Sequence, residues 1–201
     1  MWDIDARIRE FFGLVAADKI EIYNEFSLQH ELGSYLRSVR SGATSDVKVQ
    51  FERPYSDFDI KNRLVKKEID IVLIASDRSA KAAIELKYPR RGQYPEQMFK
   101  ACQDIRFLEE LCAGGFDAGY FVMVADHPLF YESGRKDGIY QHFRSGYPLS
   151  GKIQKPTGMK DKTIGMKDAE VTLQGCYLIE WNAISGNGKF ALLRVGNSLV
   201  G

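Results

Sequence analysis

Two strand-like segments, residues 68–75 and 80–87, are separated by only four turn-forming residues, 76–79. So short a connection can join the segments only as an antiparallel hairpin, because parallel strands need a crossover of a dozen or more residues. Pairing outward from a symmetric turn puts Asp70 directly opposite Glu85. The hairpin therefore predicts both the pairing of the strands and the side chains that share each face.

The two faces of the predicted hairpin differ in polarity. One face carries apolar side chains that suit packing against helices: Ile69, Ile71, Leu73, Ala82, Ile84 and Leu86. Because side chains alternate with period two, four ionisable residues share the other face, at the end far from the turn. These are Glu68, Asp70, Glu85 and Lys87. Two opposed carboxylates have Cβ atoms about 5 Å apart, where like charges repel each other.

Asp70 and Glu85 are candidate ligands for a divalent cation, which would remove this repulsion. Mg²⁺, or Mn²⁺ in its place, prefers oxygen ligands, and the Leu86 carbonyl is a third candidate. Lys87 lies on the same face, where its ammonium could position a metal-bound water and stabilise charge on a phosphate. The alternative is that Glu68 and Lys87 form an ordinary cross-strand salt bridge while Asp70 is solvated.

Hydrophobic periodicity predicts the elements around the hairpin. Apolar residues at helical spacing predict helices, and alternating or continuous apolar runs predict strands. The predicted helices cover 4–17, 25–39 and 95–112, and the predicted strands cover 46–53 and 116–125. The C-terminal part contains a candidate helix over 129–143, a lysine-rich loop over 147–167, and strands over 171–183 and 190–195 joined by a glycine-rich turn.

The chain from 25 to 125 resembles the PD-(D/E)xK, or restriction-endonuclease-like, nuclease superfamily. The resemblance rests on the order of elements and on Asp70, followed after fourteen residues by Glu85-Leu86-Lys87. Ile69 departs from the motif, whose name gives proline at that position. The resemblance implies an α/β core of a helix, three strands, a helix and a fourth strand, with a central mixed sheet flanked by helices. It also implies that the motif carboxylates bind metal and that the motif lysine is catalytic. The glycine-rich turn between the last two predicted strands adds a C-terminal hairpin to this core.

Two helices supply further candidates through the same resemblance. Many members of the superfamily add an acidic ligand from the first core helix, and Glu31 is the candidate metal ligand here. Some branches place a polar residue on the helix after the lysine strand, so Gln97, Gln103 and Asp104 are candidates for orienting the lysine or contacting DNA. The alternatives are an ordinary glutamate at the flank of a helix and ordinary solvated polar side chains.

Charge gives only local support for a nucleic-acid ligand. The chain has 28 basic and 27 acidic residues, a net charge of +1, which excludes a global basic field. Arg90 and Arg91 closely follow the lysine strand and are candidates for binding phosphates. We therefore expect a Mg²⁺-dependent nuclease with DNA as its substrate. The alternatives are an inactive nuclease-fold domain that binds nucleic acid or serves as a scaffold, and an unrelated α/β interaction protein.

Length and composition predict a single domain over residues 1–201, with a core over 25–125 and a C-terminal extension over 126–201. No run approaches the roughly 18 apolar residues of a membrane span, and the N-terminus lacks a basic segment followed by an apolar one. These features predict a cytoplasmic protein that does not enter membranes. The resemblance also allows a homodimer, since two symmetric sites can cut both strands of a duplex.

Overall fold

The computed structural model describes residues 3–39, 47–90, 92–132, 134–156 and 170–196. Within these ranges the helices are α1 (Ile4–Ala16), α2 (Glu25–Ser38), α3 (Tyr94–Ala113) and α4 (Tyr140–Arg144). The strands are β1 (Val47–Pro54), β2 (Glu68–Ala75), β3 (Lys81–Lys87), β4 (Ala118–Ala125), β5 (Leu149–Gln154), β6 (Glu170–Tyr177), β7 (Asn182–Ala183) and β8 (Lys189–Val195). None of these helices is both long and apolar enough to cross a membrane.

Six strands form one mixed sheet in the order β1-β2-β3-β4-β8-β7. β3 and β4 run parallel, and every other neighbouring pair in this sheet is antiparallel. α3 supplies the crossover that the parallel pair requires. The hairpin prediction is confirmed, because β2 and β3 pair antiparallel and partners such as Ile71 with Ile84 and Ile74 with Lys81 keep the predicted register.

Helices cover both faces of this sheet and bury its apolar side chains. On one face, α1 and α2 pack over residues such as Ile84, and Phe12 of α1 stacks on Phe190 of β8 with ring centroids 4.0 Å apart. On the opposite face, α3 packs over Val72 and Ala83. Asp70 is two residues from Val72, and Glu85 and Lys87 are two and four residues from Ala83. Side chains two residues apart in a strand lie on the same face, so these three polar side chains face α3.

β5 and β6 form a second, two-stranded antiparallel sheet that packs against α3. Glu109 of α3 anchors this sheet. Its carboxylate accepts hydrogen bonds of 2.7 to 3.0 Å from the N–H groups of Gln174 and Gly175 and from the Tyr177 hydroxyl. The C-terminal extension is thereby joined to the same helix that covers the polar end of the hairpin.

The helix predicted over 129–143 is wrong. The structure has a 3₁₀ turn, Pro128–Phe130, followed by an irregular connection and then the short α4. Gly134 and Gly138 in this connection have φ angles of +65° and +56°. Such left-handed conformations break a helix and favour glycine. The apolar residues of this segment are therefore buried in two separate stretches of chain and do not form one face of a single helix.

The lysine-rich loop predicted over 147–167 is also partly wrong, because it contains β5. Leu149 and Ile153, with three exposed residues between them, are buried in the core around α3; residues 157–169 lie outside the described ranges. The long strand predicted after this loop ends at Tyr177 and resumes as β7, which pairs with β8 as the predicted late hairpin. The other predicted helices and strands agree with the structure to within two residues at each end.

Candidate functional site

Asp70 and Glu85 lie side by side where the backbone pairing of β2 and β3 ends. The last paired residues are Ile71 and Ile84. Beyond them, hydrogen bonds that the two carboxylates accept from backbone N–H groups join the strands. Oδ2 of Asp70 accepts a hydrogen bond of 2.7 Å from the Leu86 N–H, and Oε1 of Glu85 accepts one of 3.3 Å from the Asp70 N–H. The structure therefore brings together the two residues that the hairpin register pairs.

A lysine from outside the hairpin, Lys66, lies between these carboxylates. Its Nζ atom donates a short hydrogen bond to Oε2 of Glu85, and it lies 3.8 Å from Oδ1 of Asp70. It also lies 3.1 Å from Oδ1 of Asp104, which α3 places over the hairpin. Three carboxylates from β2, β3 and α3 therefore converge on one ammonium group.

Lys87 is held by a second pair of carboxylates. Its Nζ atom lies 3.1 Å from Oδ2 of Asp104 and 3.9 Å from Oε1 of Glu25, which belongs to α2. Asp104 therefore bridges Lys66 and Lys87 with its two oxygens. The alternative salt bridge from Glu68 to Lys87 is not among the ion pairs of the described residues, because Glu68 lies at the exposed start of β2, opposite β1.

Burial makes it costly for Asp70 and Glu85 to be ionised. Glu85 is fully buried, and the Asp104 side chain is only 5% exposed. Burial raises the pKa of Asp70 to about 6, although Lys66 and the Leu86 N–H act to lower it. Burial, followed by the neighbouring Asp70 charge, raises the pKa of Glu85 well above its usual range. The cluster therefore favours either a bound proton or an additional cation.

The two lysines of the cluster are held in their charged form. Burial acts to lower the pKa of Lys66, but the three surrounding carboxylates outweigh it and raise the pKa. Burial also acts to lower the pKa of Lys87, but the negative charges of Asp104 and Glu25 outweigh it, and the pKa is raised. The three buried carboxylates thus face two ammonium groups, an excess of one negative charge when these five groups are ionised; Glu25, whose side chain is 45% exposed, is not counted.

The donor set suits Mg²⁺ or Mn²⁺ in charge and in chemistry. Oδ2 of Asp104 is a buried oxygen with no hydrogen-bond partner in the described part of the chain, although Lys87 forms an ion pair with it. The Leu86 N–H points towards Asp70, and the carbonyl of the same extended residue points to the same side of the strand. In the five described ranges, no three His, Cys, Asp or Glu side chains are already spaced for a metal ion. The ammonium of Lys66 lies where the carboxylates converge.

No family model, curated protein or solved structure matches the chain. The resemblance to PD-(D/E)xK nucleases therefore stays a prediction. What the site can do follows from its geometry: the paired carboxylates can bind a divalent cation, and Lys87 can stabilise negative charge beside it.

The first core helix, α2, reaches the site through Glu25 and Gln29 rather than through Glu31. Oε1 of Glu31 lies 3.2 Å from Nδ1 of the adjacent His30, and Glu31 forms no ion pair with the cluster in the described structure. Gln29 donates a hydrogen bond of 2.8 Å to the Asp70 carbonyl. Residues four apart share one face of a helix, whereas Glu31 lies about 200° around α2 from Gln29. Glu25, with its contact to Lys87, is the acidic residue that this helix brings to the site.

The remaining candidates are Gln97, Gln103, Arg90 and Arg91. Gln97 is two turns before Asp104 on the same side of α3, and Gln103 lies about 100° around the helix from Asp104. Neither side chain has a hydrogen bond to the cluster among those of the described residues. Arg90 is exposed and donates a hydrogen bond to a backbone carbonyl just before α2. Arg91 lies outside the described residues.

The sequence pattern does not identify Lys66 or Glu25 as site residues. A basic run before the hairpin is visible in the sequence and consists of Lys61, Arg63, Lys66 and Lys67. Nothing in this run indicates which side chain turns inward. Glu25 is typical of an acidic residue in the first turn of a helix, where the helix dipole favours negative charge. Its contact with Lys87 depends on the packing of α2 against β3.

Proposed function

We propose that this protein is a metal-dependent nuclease that hydrolyses phosphodiester bonds of nucleic acid, with DNA as the expected substrate. One observation carries the proposal: carboxylates of Asp70, Glu85 and Asp104 converge within 3.8 Å of a single cationic nitrogen, with Lys87 beside them. Burying several charges gains little stability, because desolvation offsets the attraction. A divalent-ion site requires such a surplus of negative charge.

The position of the cluster in the fold also supports the proposal. α2, the three strands β1 to β3, α3 and β4 follow each other in the order of a restriction-endonuclease-like core. Asp70 lies on the second of these strands, and Glu85 and Lys87 lie on the third. The order of elements and the charge of the cluster are separate observations, and both favour the same class of enzyme.

Each residue of the cluster has a defined role in this proposal. Asp70 and Glu85 hold a Mg²⁺ or Mn²⁺ ion, and the Leu86 carbonyl is a further ligand. Bound there, the ion would supply Lewis acidity and lower the pKa of a bound water. Lys87 stabilises the charge of the scissile phosphate. Asp104 positions Lys87 through its contact of 3.1 Å.

The surface beside the cluster supports nucleic acid as the substrate class. Tyr23 and Phe26 are 60% and 80% exposed, and they flank Glu25, whose carboxylate lies 3.9 Å from Lys87. Exposed aromatic rings stack on unpaired bases, which contributes about 1–3 kcal/mol per base. Arg90 is bonded to the Tyr23 carbonyl and supplies positive charge for a phosphate. Single-stranded or locally opened DNA suits this surface.

Cleavage of supercoiled plasmid and of single-stranded DNA, with Mg²⁺ or Mn²⁺ and with EDTA, tests the proposal. Asp70→Asn and Lys87→Met should each lower the cleavage rate by about 100-fold or more, because each removes a group that acts on the ion or the phosphate. Lys19→Met removes an exposed lysine at the end of α1 and should leave the rate unchanged. Cleavage that persists in both cluster variants would contradict the assignment.

A non-catalytic domain that binds nucleic acid or serves as a scaffold is the second candidate. Lys66 favours it, because its ammonium already neutralises part of the cluster. Calorimetric titration separates the two candidates. A nuclease should bind Mn²⁺ and lose that binding in Glu85→Gln, whereas a scaffold should take up no Mn²⁺ and should bind DNA equally well in EDTA.

A further inference from the structure

The side chain of Lys66 ends where the three carboxylates of the cluster converge. Its Nζ atom contacts Glu85, and it lies 3.1 Å from Asp104 and 3.8 Å from Asp70. We propose that Lys66 is an internal counter-cation that occupies the position of the divalent ion, so that the ion binds only when the ammonium leaves. This inference rests on the metal site of the proposed function.

The ion and the ammonium compete for the same carboxylate oxygens. A Mg²⁺ ion held by Asp70 and Glu85 lies about 2.1 Å from their oxygens. Lys66 already bonds one Glu85 oxygen and lies 3.8 Å from Asp70, so its Nζ atom and the ion would fall within a few ångströms of each other. Two cations at such a separation repel each other strongly in a buried cluster. The two arrangements are therefore mutually exclusive.

Charge balance also favours exchange over joint occupancy. With Lys66 and Lys87 in place, the three buried carboxylates exceed the ammonium groups by one charge; Glu25 is not counted, because its side chain is 45% exposed and solvent screens its charge. A divalent ion added while Lys66 stays would leave one excess positive charge. An ion that replaces Lys66 makes the buried cluster neutral with all three carboxylates ionised, and neutrality reduces the cost of burying the charges.

Lys66 can leave without unfolding its own segment. The Val65 N–H donates a hydrogen bond of 3.0 Å to Glu110, and the Lys67 carbonyl accepts one of 3.0 Å from the Tyr55 N–H. The backbone on both sides of Lys66 is thus anchored. The Lys66 side chain is 29% exposed, so it already has a path to solvent. Exchange therefore requires only the rotation of one side chain.

Calorimetric titration of Mn²⁺ into the full chain tests this exchange. Lys66→Met should lower the Kd for Mn²⁺ by about tenfold or more, because the wild-type affinity is reduced by the fraction of molecules in which Lys66 fills the site. Lys67→Met, which removes the exposed neighbour, should keep the wild-type Kd. An unchanged or higher Kd in Lys66→Met overturns the inference, while Mn²⁺ binding by the wild type leaves the proposed function standing. No Mn²⁺ binding by any of the three proteins overturns both.

A second measurement uses the wild-type chain and so does not depend on the folding of Lys66→Met. The acylation rate of each lysine is measured by mass spectrometry with and without saturating Mn²⁺. The rate at Lys66 should rise when Mn²⁺ binds and fall again with EDTA, while the rate at Lys67 stays constant. A Lys66 side chain that remains equally protected while Mn²⁺ is bound overturns the inference.

Discussion

Replacing Asp70 with asparagine should stabilise the metal-free protein at pH 8, even though it removes a proposed metal ligand. The Asp70 side chain is only 19% exposed, and burial raises its pKa from an ordinary 3.8 to about 6. The folded protein therefore binds this proton more tightly than the unfolded chain does. Stability is highest below the unfolded pKa and is lost as the pH rises through the folded pKa.

The size of the effect follows from the difference between the two pKa values. A difference of about 2 pKa units makes the ionised carboxylate cost about 3 kcal/mol at pH 8. About half of this cost, roughly 1.6 kcal/mol, is already present at pH 5. Asparagine does not ionise, and its side-chain oxygen can still accept the hydrogen bond from the Leu86 N–H. Asp70→Asn should therefore be more stable than the wild type by up to about 3 kcal/mol at pH 8, which corresponds to about 6–12 °C in Tm for a chain of this size.

Thermal and urea unfolding in EDTA, from pH 5 to pH 8, measures this difference. The advantage of Asp70→Asn should grow by about 1.4 kcal/mol across that range. Asp77→Asn is the matched control, because Asp77 lies on the exposed turn of the same hairpin and hydrogen bonds from Ser79 lower its pKa. Its loss should be slightly destabilising at pH 8. If Asp70→Asn is destabilised at pH 8 without metal, then Lys66 stabilises the carboxylate by more than burial costs, and the reasoning is refuted.

Three further predictions concern the packing of the fold and the surface beside the site. Glu109→Gln should destabilise the protein by about 1–3 kcal/mol in urea unfolding, because a buried carboxylate that accepts several hydrogen bonds is removed; unchanged stability would show that β6 does not depend on this anchor. Phe12→Ala should cost about 3–5 kcal/mol, because it leaves a cavity against Phe190, and a much smaller loss would place α1 outside the core. Phe26→Ala should weaken binding of single-stranded DNA by about 5- to 150-fold through lost stacking. Tyr147→Ala, which removes an exposed aromatic ring away from the cluster, should bind as the wild type does, and equal losses in both variants would refute a specific stacking role.

Local signals predict the elements that carry the proposed site. The bounds of the helices and strands over the first 125 residues follow from the spacing of apolar residues. This spacing is a local property, because it involves residues within a few helical turns or a few strand positions of each other. The C-terminal part is harder, because residues 129–143 have the apolar spacing of a helix while two left-handed glycines interrupt it. β5 is hard to predict because it has only two buried apolar residues, Leu149 and Ile153, which are four residues apart among exposed ones. The first error comes from the local backbone conformation of two glycines, and the second comes from burial of β5 against a distant element, α3.

The sequence by itself determined that Asp70 faces Glu85, because a four-residue turn and period-two alternation act between residues fewer than twenty apart. Only the tertiary structure decided what surrounds them. Lys66 turns inward and Asp104 bridges two lysines because α3 and the segment before β2 pack over the same end of the hairpin. Glu25 rather than Glu31 reaches Lys87 because α2 presents one particular face to β3. The charged side chains that surround the two predicted ligands belong to other elements of the fold. The local spacing of residues in the sequence does not determine how those elements pack together.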